Sequence, residues 1–348
     1  MIIKNARLIL NEGITEDGFL QIENGKIVDL GEMKSSAEES LNYTIIPGLI
    51  DVHVHPMHQT LETVKQMLYE GGVTSFLATT MSEEVEDLKV TLNRYAKSVD
   101  DTLIGIHLEG PFLNPLRAGA QDEKTLIEAD IDVFNMLYEV GQKRIVWMSV
   151  APERLSKTFC QALPSRIKLV AGHTDGDALV FEHAKRCGIR HLTHAFNAMR
   201  GLHHRETSLL LKALLDPAFT VEVIADGAHV SFDMLKLIYR LKKGRMFLVS
   251  DQLCIDNDTN EAVYKNDKGE LVGASKGLYQ GFLNMLDITK DIVETVKMVS
   301  YYPAVALGID DVLGSLAIGN TADFVVLDDA LKIIAVYKKG KCVFGGLV

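Results

Sequence analysis

An α/β fold is what this sequence predicts: a (β/α)8 barrel of the TIM type with a small split β-sandwich formed by both chain ends. Two observations predict it. From about Pro47 onward, short β-branched runs alternate with longer stretches of helical periodicity, the signature of repeated βα units on a parallel sheet. The chain ends instead alternate apolar and polar residues with period two around Asn-Gly and Lys-Gly turns, which predicts antiparallel strands.

Taken in order, the first 46 residues supply IIKNARLIL, FLQIENGKIVDLG and TIIPG. Eight runs follow: GLIDVHV (48–54), VTSFLATT (73–80), LIGIHLEG (103–110), RIVWMSV (144–150), IKLVAGH (167–173), HLTHAF (191–196), TVEVIAD (220–226) and MFLVSD (246–251). Helical periodicity fills residues 60–70, 82–98, 124–140, 176–187 and 231–243 between them. Eight strands with intervening helices suit a closed barrel better than an open sheet. The polar stretch DNDTNEAVYKNDKGE (256–270) then interrupts the pattern and predicts a hairpin or flap. Residues 314–348 return to period-two alternation, in GSLAIGNTADFVVLD and IIAVYKKGKCVFGG. The expected division is therefore a sandwich of residues 1–46 plus 314–348, with a catalytic barrel of residues 47–313 inserted into it.

Composition narrows the function. The 348 residues are 47% hydrophobic with only 8 prolines, ample for a large core. A net charge of -11 and a pI near 5.5 argue against nucleic acid as partner, because binding a polyphosphate needs a broad cationic footprint. The opening Met1-Ile2-Ile3 lacks the basic start of a signal peptide, and no later run is long enough to span a bilayer, so a cytoplasmic protein is expected. Cys160, Cys187, Cys254 and Cys342 are scattered without a CxxC pair, which predicts reduced thiols, with neither a disulfide framework nor a thiolate metal site.

Six potential metal ligands sit at or just beyond the ends of these runs: His53, His55, Glu109, His173, His194 and Asp251. In a parallel β/α fold the run ends share one side, where chemistry collects. His53 and His55, two apart on a strand, point to the same face and form a natural chelate for zinc or iron. Glu109 at the end of the third strand is expensive to bury unless it meets a cation, and a carboxylate can bridge two metals. His107, one layer deeper, reads as a packed or hydrogen-bonded core histidine, and His58, His183 and His191 carry no chemistry in this pattern. His173 and His194 repeat one arrangement on strands five and six. A bound divalent ion lowers the pKa of water towards ~7 and polarises a carbonyl. Asp251 would accept the proton of the attacking water and return it to a leaving amine, which makes the substrate an amide or related carbonyl compound.

PGLIDVHVHP, EGGVTSFLATT, HLEGPFLNP, AGHTDGD, THAFNAM followed by HHRE, IADGAHVS, LVSDQ and GNTADFVVLD together resemble the amidohydrolase superfamily, and more closely its N-acetylglucosamine-6-phosphate deacetylases. The resemblance runs over nearly the whole chain and implies the barrel and split sandwich already expected. It implies that Glu109, His173 and His194 hold the principal metal, with Asp251 as general base. His53 and His55 imply a second metal. Asn197, Ala198 and His229 look like contacts to the sugar phosphate, and Arg205 resembles an arginine reaching the phosphate from a neighbouring subunit, which implies a homodimer. A guanidinium suits that task because its planar fork matches phosphate oxygens.

Two departures touch the substrate pocket. Where the family usually has a histidine that orients the substrate carbonyl, this chain reads AGAQ and places Gln121. After Asp251 it reads QLCID in place of a small-residue stretch. The expected activity is deacetylation of an amino-sugar 6-phosphate with one or two divalent ions. Its alternatives are another amidohydrolase, acting on a cyclic amide or a different N-acyl group, and a catalytically weakened sugar-phosphate binder. Cyclic-amide hydrolases of the dihydroorotase type generally use a carbamylated lysine from strand four, and IVWMSVAP offers none.

Overall fold

The computed structural model describes residues 1–33, 43–98, 100–255, 263–265, 269 and 271–346. The chain opens with β1 (Ile2–Ile9), β2 (Ile14–Glu23), β3 (Lys26–Glu32) and β4 (Tyr43–Pro47). Barrel strands follow as β5 (Leu49–His55), β6 (Val73–Thr79), β7 (Leu103–Glu109), β8 (Ile145–Val150), β9 (Lys168–Ala171), β10 (His191–Leu192), β11 (Thr220–Ile224) and β12 (Met246–Val249). All eight coincide with the β-branched runs. Between them lie α1 (Leu61–Glu70), α2 (Val85–Ala96), α3 (Ile131–Val140), α4 (Lys157–Ala162), α5 (Ala178–Arg186), α6 (Leu209–Leu215) and α7 (Phe232–Lys242). The short α4 and α6 have no counterpart among the expected helices, because one or two turns give too few residues to display a helical period.

Among the described residues one sheet runs in the order β12, β11, β10, β9, β8, β7, β6, β5, and continues into β13 (Gln252–Leu253), β15 (Leu271–Ala274) and β14 (Val263–Lys265). Every residue of β5 and β6 is buried, as a parallel strand covered on both faces requires. The segment directly after β12 lies on β5. There the Asp251 N–H donates to the His53 carbonyl (3.0 Å) and the Cys254 N–H to that of His55 (2.9 Å), which ties the eighth strand back to the first. Beyond it, β14 and β15 pair antiparallel, so part of the stretch expected to be a hairpin is one; residues 256–262, 266–268 and 270 lie outside the described residues.

Helix starts are set locally. Asp177 accepts from the Leu179 and Val180 N–H groups at 2.8 and 3.0 Å, capping donors that α5 leaves unpaired. After β15 come α8 (Leu278–Thr289), α9 (Ile292–Val299) and α10 (Tyr301–Leu307), then β16 (Phe324–Leu327), β17 (Ile333–Lys338) and β18 (Lys341–Gly345). These last strands join the first four in a second sheet, ordered β18, β17, β16, β4, β1, β2, β3 among the described residues. Both chain ends thus build one sheet, antiparallel except for the parallel pair β1–β4. Its core includes Leu8, Leu20, Ile45, Phe324 and Val326.

The chain divides into two compact units, one of residues 1–51, 62–75 and 277–348, the other of residues 52–61 and 76–276. One sequence expectation is corrected here. Cys160 in α4 and Cys187 at the end of α5 are joined in a disulfide, with Cα atoms 5.3 Å apart. They are 27 residues apart in sequence, with no spacing signal, and come within bridging reach only because α4 and α5 meet in space. Cys342 is a free thiol.

Candidate metal centre and substrate pocket

Strand ends of the second unit supply every donor of the site. His53 and His55 lie on β5, and Glu109 closes β7. His173, His194 and Asp251 fall just beyond β9, β10 and β12, where the backbone turns into the left-handed region at φ 46°, 25° and 53°. Side chains with a Cβ disfavour that region, and such strain persists where surrounding structure over-determines it, characteristically at functional sites. Gly172 is required beside this turn, since a Cβ on it would come 2.1 Å from Thr193 Cγ2.

Glu109 Oε1 lies 3.3 Å from His173 Nε2 and 3.1 Å from His194 Nε2, and the two nitrogens are 3.1 Å apart. Bonds of about 2.0–2.1 Å in a tetrahedral zinc site imply ligand separations of about 3.3 Å, so this triangle fits one ion. The His173 Nδ1–H donates to the Arg117 carbonyl at 2.9 Å, which leaves Nε2 to present its lone pair to the same point. A second group adjoins the first. His53 Nε2 is 3.4 Å from Glu109 Oε1, and His55 Nε2 is 3.7 Å from Glu109 Oε2, so Glu109 faces both groups. Asp251 Oδ1 approaches His55 Nε2 at 3.1 Å and His53 Nε2 at 3.5 Å.

The electrostatics of the cluster agree with this donor set. Burial alone would raise the Glu109 pKa, yet His53, His173 and His194 hold it well below the carboxylate range. Burial works against charge on His53 and His173 as well, but Glu109 beside them raises both. Asp251 is likewise pushed down against burial by His53 and His55. His107, by contrast, is lowered to about 3 by burial and by His53; its ring binds the Val52 carbonyl and Ser149 Oγ, so it is a neutral core residue, as expected.

Asn197, Ala198, His229 and Gln121 line the pocket over these donors, along with Gly119 and with Leu271, Val272 and Gly273 of β15. His229 Nδ1 meets Asp226 Oδ2 at 2.6 Å; burial disfavours its charge, but Asp226 raises its pKa above the usual imidazole value. The amide of Gln121 is engaged on both sides: Nε2 donates to Glu109 Oε2 at 2.7 Å, and Oε1 accepts from the Ser82 N–H at 2.6 Å. Arg205 is absent from the lining and lies in the exposed stretch 201–207.

Sequence reasoning missed Glu222. It sits mid-strand in β11, fully buried, and binds His191, Thr193 and His53. The signal was present as a single acid inside the apolar run TVEVI. The β15 residues were missed because a pocket wall made by a hairpin leaves no local pattern.

Residues 44–343 match the amidohydrolase family, and the chain belongs to it. These are metal-dependent enzymes, and the two His–Glu groups are where this chain offers ligands to an ion. It is 28% identical to the N-acetylglucosamine-6-phosphate deacetylase of Bacillus subtilis (strain 168), covering 99% of this chain and 97% of that one. It is 27% identical to the N-acetylgalactosamine-6-phosphate deacetylase of Escherichia coli O157:H7, covering 98% of each. Its fold matches the crystal structure of N-acetylglucosamine-6-phosphate deacetylase from Thermotoga maritima with a TM-score of 0.89 at 30% identity, over 99% of this chain and 100% of the other. No helix among the described residues is long and apolar enough to cross a membrane.

Proposed function

We propose that this protein hydrolyses the N-acetyl amide of an amino-sugar 6-phosphate, N-acetylglucosamine 6-phosphate first among them, to acetate and the free amine. The observation that carries the reading is a carboxylate, Asp251, beside a triangle of Glu109, His173 and His194 at the floor of one pocket. Glu109, His173 and His194 would hold a divalent ion, zinc or iron, with His53, His55 and Glu109 available for a second. When bound, such an ion makes water nucleophilic at neutral pH and polarises the acetyl carbonyl.

Asp251, whose carboxylate borders the same pocket, would accept the proton of the attacking water and return it to the leaving nitrogen. His229, made basic by Asp226, offers a positive N–H to a substrate oxygen. Asn197 and Ala198 border the same space, where the sugar phosphate would lie. Gln121 supports Glu109 through its amide and so closes the pocket by the acyl group. The reading includes a cytoplasmic homodimer, in which exposed Arg205 reaches the substrate phosphate bound by the other subunit.

Similarity to both glucosamine and galactosamine relatives, together with Gln121, makes the 4-epimer a second substrate to be compared. The test is acetate release from both N-acetylhexosamine 6-phosphates. Activity should vanish on chelation and return with zinc or ferrous ion. A metal-loaded protein inert towards every N-acetylhexosamine phosphate would overturn the proposal.

A further inference from the structure

Glu222 is the one acid of β11, its residue is 0% exposed, and four donors converge on its carboxylate. His191 Nε2 lies 3.0 Å from Oε1. On Oε2, the Thr193 hydroxyl donates at 2.7 Å, the His194 backbone N–H donates at 3.3 Å, and His53 Nδ1 stands at 3.5 Å. A carboxylate this deep is costly unless hydrogen-bonded, and donors reach both of its oxygens. The convergence joins the two ligand groups: one side chain holds the main chain of His194 and faces the ring of His53.

The hydrogen-bond inventory then sets the His53 tautomer. Thr193 has one hydroxyl proton, and it goes to Glu222, which can only accept. Thr193 Oγ1, 3.2 Å from His53 Nδ1, is left with lone pairs and so accepts from that nitrogen. Nδ1 of His53 therefore carries a proton, and in the neutral ring Nε2, 3.4 Å from Glu109 Oε1, is the nitrogen left to present a lone pair to an ion shared with Glu109. A ligating imidazole needs this arrangement, because the hydrogen bond of one ring nitrogen decides which nitrogen can bind a metal.

We propose that Glu222, acting through Thr193, is a positioning residue that fixes His53 with Nε2 presented to the pocket, and thereby sets how tightly the His53–His55–Glu109 group holds an ion. His191 anchors the far side of the relay, stacked on Phe247 with ring centroids 5.0 Å apart. The inference rests on the metal-centre part of the proposed function and not on its substrate, so its test contains no substrate.

Full-length protein, freed of metal by chelation, is titrated with zinc against a chromophoric competitor, and with cadmium followed by cadmium NMR. His53→Asn identifies which ion belongs to the His53 group. Wild type should bind two ions per chain. Thr193→Val should weaken the His53-dependent ion about 10- to 100-fold, the range typical of lost outer partners, and change the other ion less than about threefold. Thr193→Ser should restore it, which a loss of packing alone would not predict. Glu222→Gln should weaken the same ion; should that variant fail to fold, the two Thr193 variants decide. A wild type that binds one ion, a Thr193→Val protein that binds both normally, or equal weakening of both ions would each overturn the inference. A normal outcome here with no acetate release from any sugar phosphate would sink the substrate reading alone.

Discussion

Replacing Asp251 with asparagine separates proton transfer from metal binding and from folding. Asparagine has the same shape and tolerates the left-handed backbone at φ 53°, so the turn after β12 should survive. What is lost is the proton acceptor that the proposed reaction requires. In the structure Asp251 Oδ1 lies 3.1 Å from His55 Nε2 and 3.5 Å from His53 Nε2, but it is not part of the Glu109–His173–His194 triangle. A positioned general base is typically worth about 10²- to 10⁴-fold in rate. At about 1.4 kcal/mol per tenfold, the barrier should rise by roughly 3–5 kcal/mol. The assay is kcat for acetate release, measured on protein whose metal content is determined in the same sample. A kcat within tenfold of wild type on metal-loaded protein would refute the role of Asp251. Loss of the ion from the Glu109 triangle would refute the separation of roles.

Three further outcomes follow from individual contacts. Asp226→Asn should lower the His229 pKa, now held above its ordinary ~6.5 by the 2.6 Å contact, and NMR titration of the ring reads the shift directly. In wild type the stability linked to the raised His229 pKa is fully present below about 6.5 and is lost as pH rises through the folded value. The linked share of Asp226, whose pKa is depressed, is lost instead as pH falls through its folded value, and the substitution should flatten both limbs. Gln121→Leu strands Glu109 Oε2 and the Ser82 N–H, which should cost about 3 kcal/mol in urea unfolding of the chelated protein; a loss under about 1 kcal/mol would contradict the bonding described. Lys338→Met leaves Asp323, 2.6 Å away and 6% exposed, without its cation. That should cost about 3–5 kcal/mol, most of it recovered in Lys338→Met with Asp323→Asn, while equal losses in both proteins would argue against a desolvated pair.

Much of this architecture was legible locally. Runs such as VTSFLATT and LIGIHLEG place apolar residues on both strand faces, as a strand covered on both sides does, and they recur as β6 and β7. The ends of the chain alternate polar and apolar residues, and they form one sheet. The two-residue spacing of His53 and His55 guaranteed a shared face, and parallel strands put their C-terminal ends on one side, so Glu109, His173, His194 and Asp251 could be nominated from position alone.

Distances could not be read that way. Glu222 reaches His53 from 169 residues away, and His55 meets Asp251 across 196. Gln121 lines the pocket, but its amide is directed at Glu109 and Ser82, a geometry set by how the loop after β7 folds back. Cys160 and Cys187 became partners only when the fold brought α4 to the end of α5. Periodicity along a chain reports which face of an element is dry, because burial is a local consequence of side-chain direction. Which buried atoms then stand within 3 Å of one another depends on the register, crossing and backbone strain of segments remote in sequence, and those were decided by the tertiary structure.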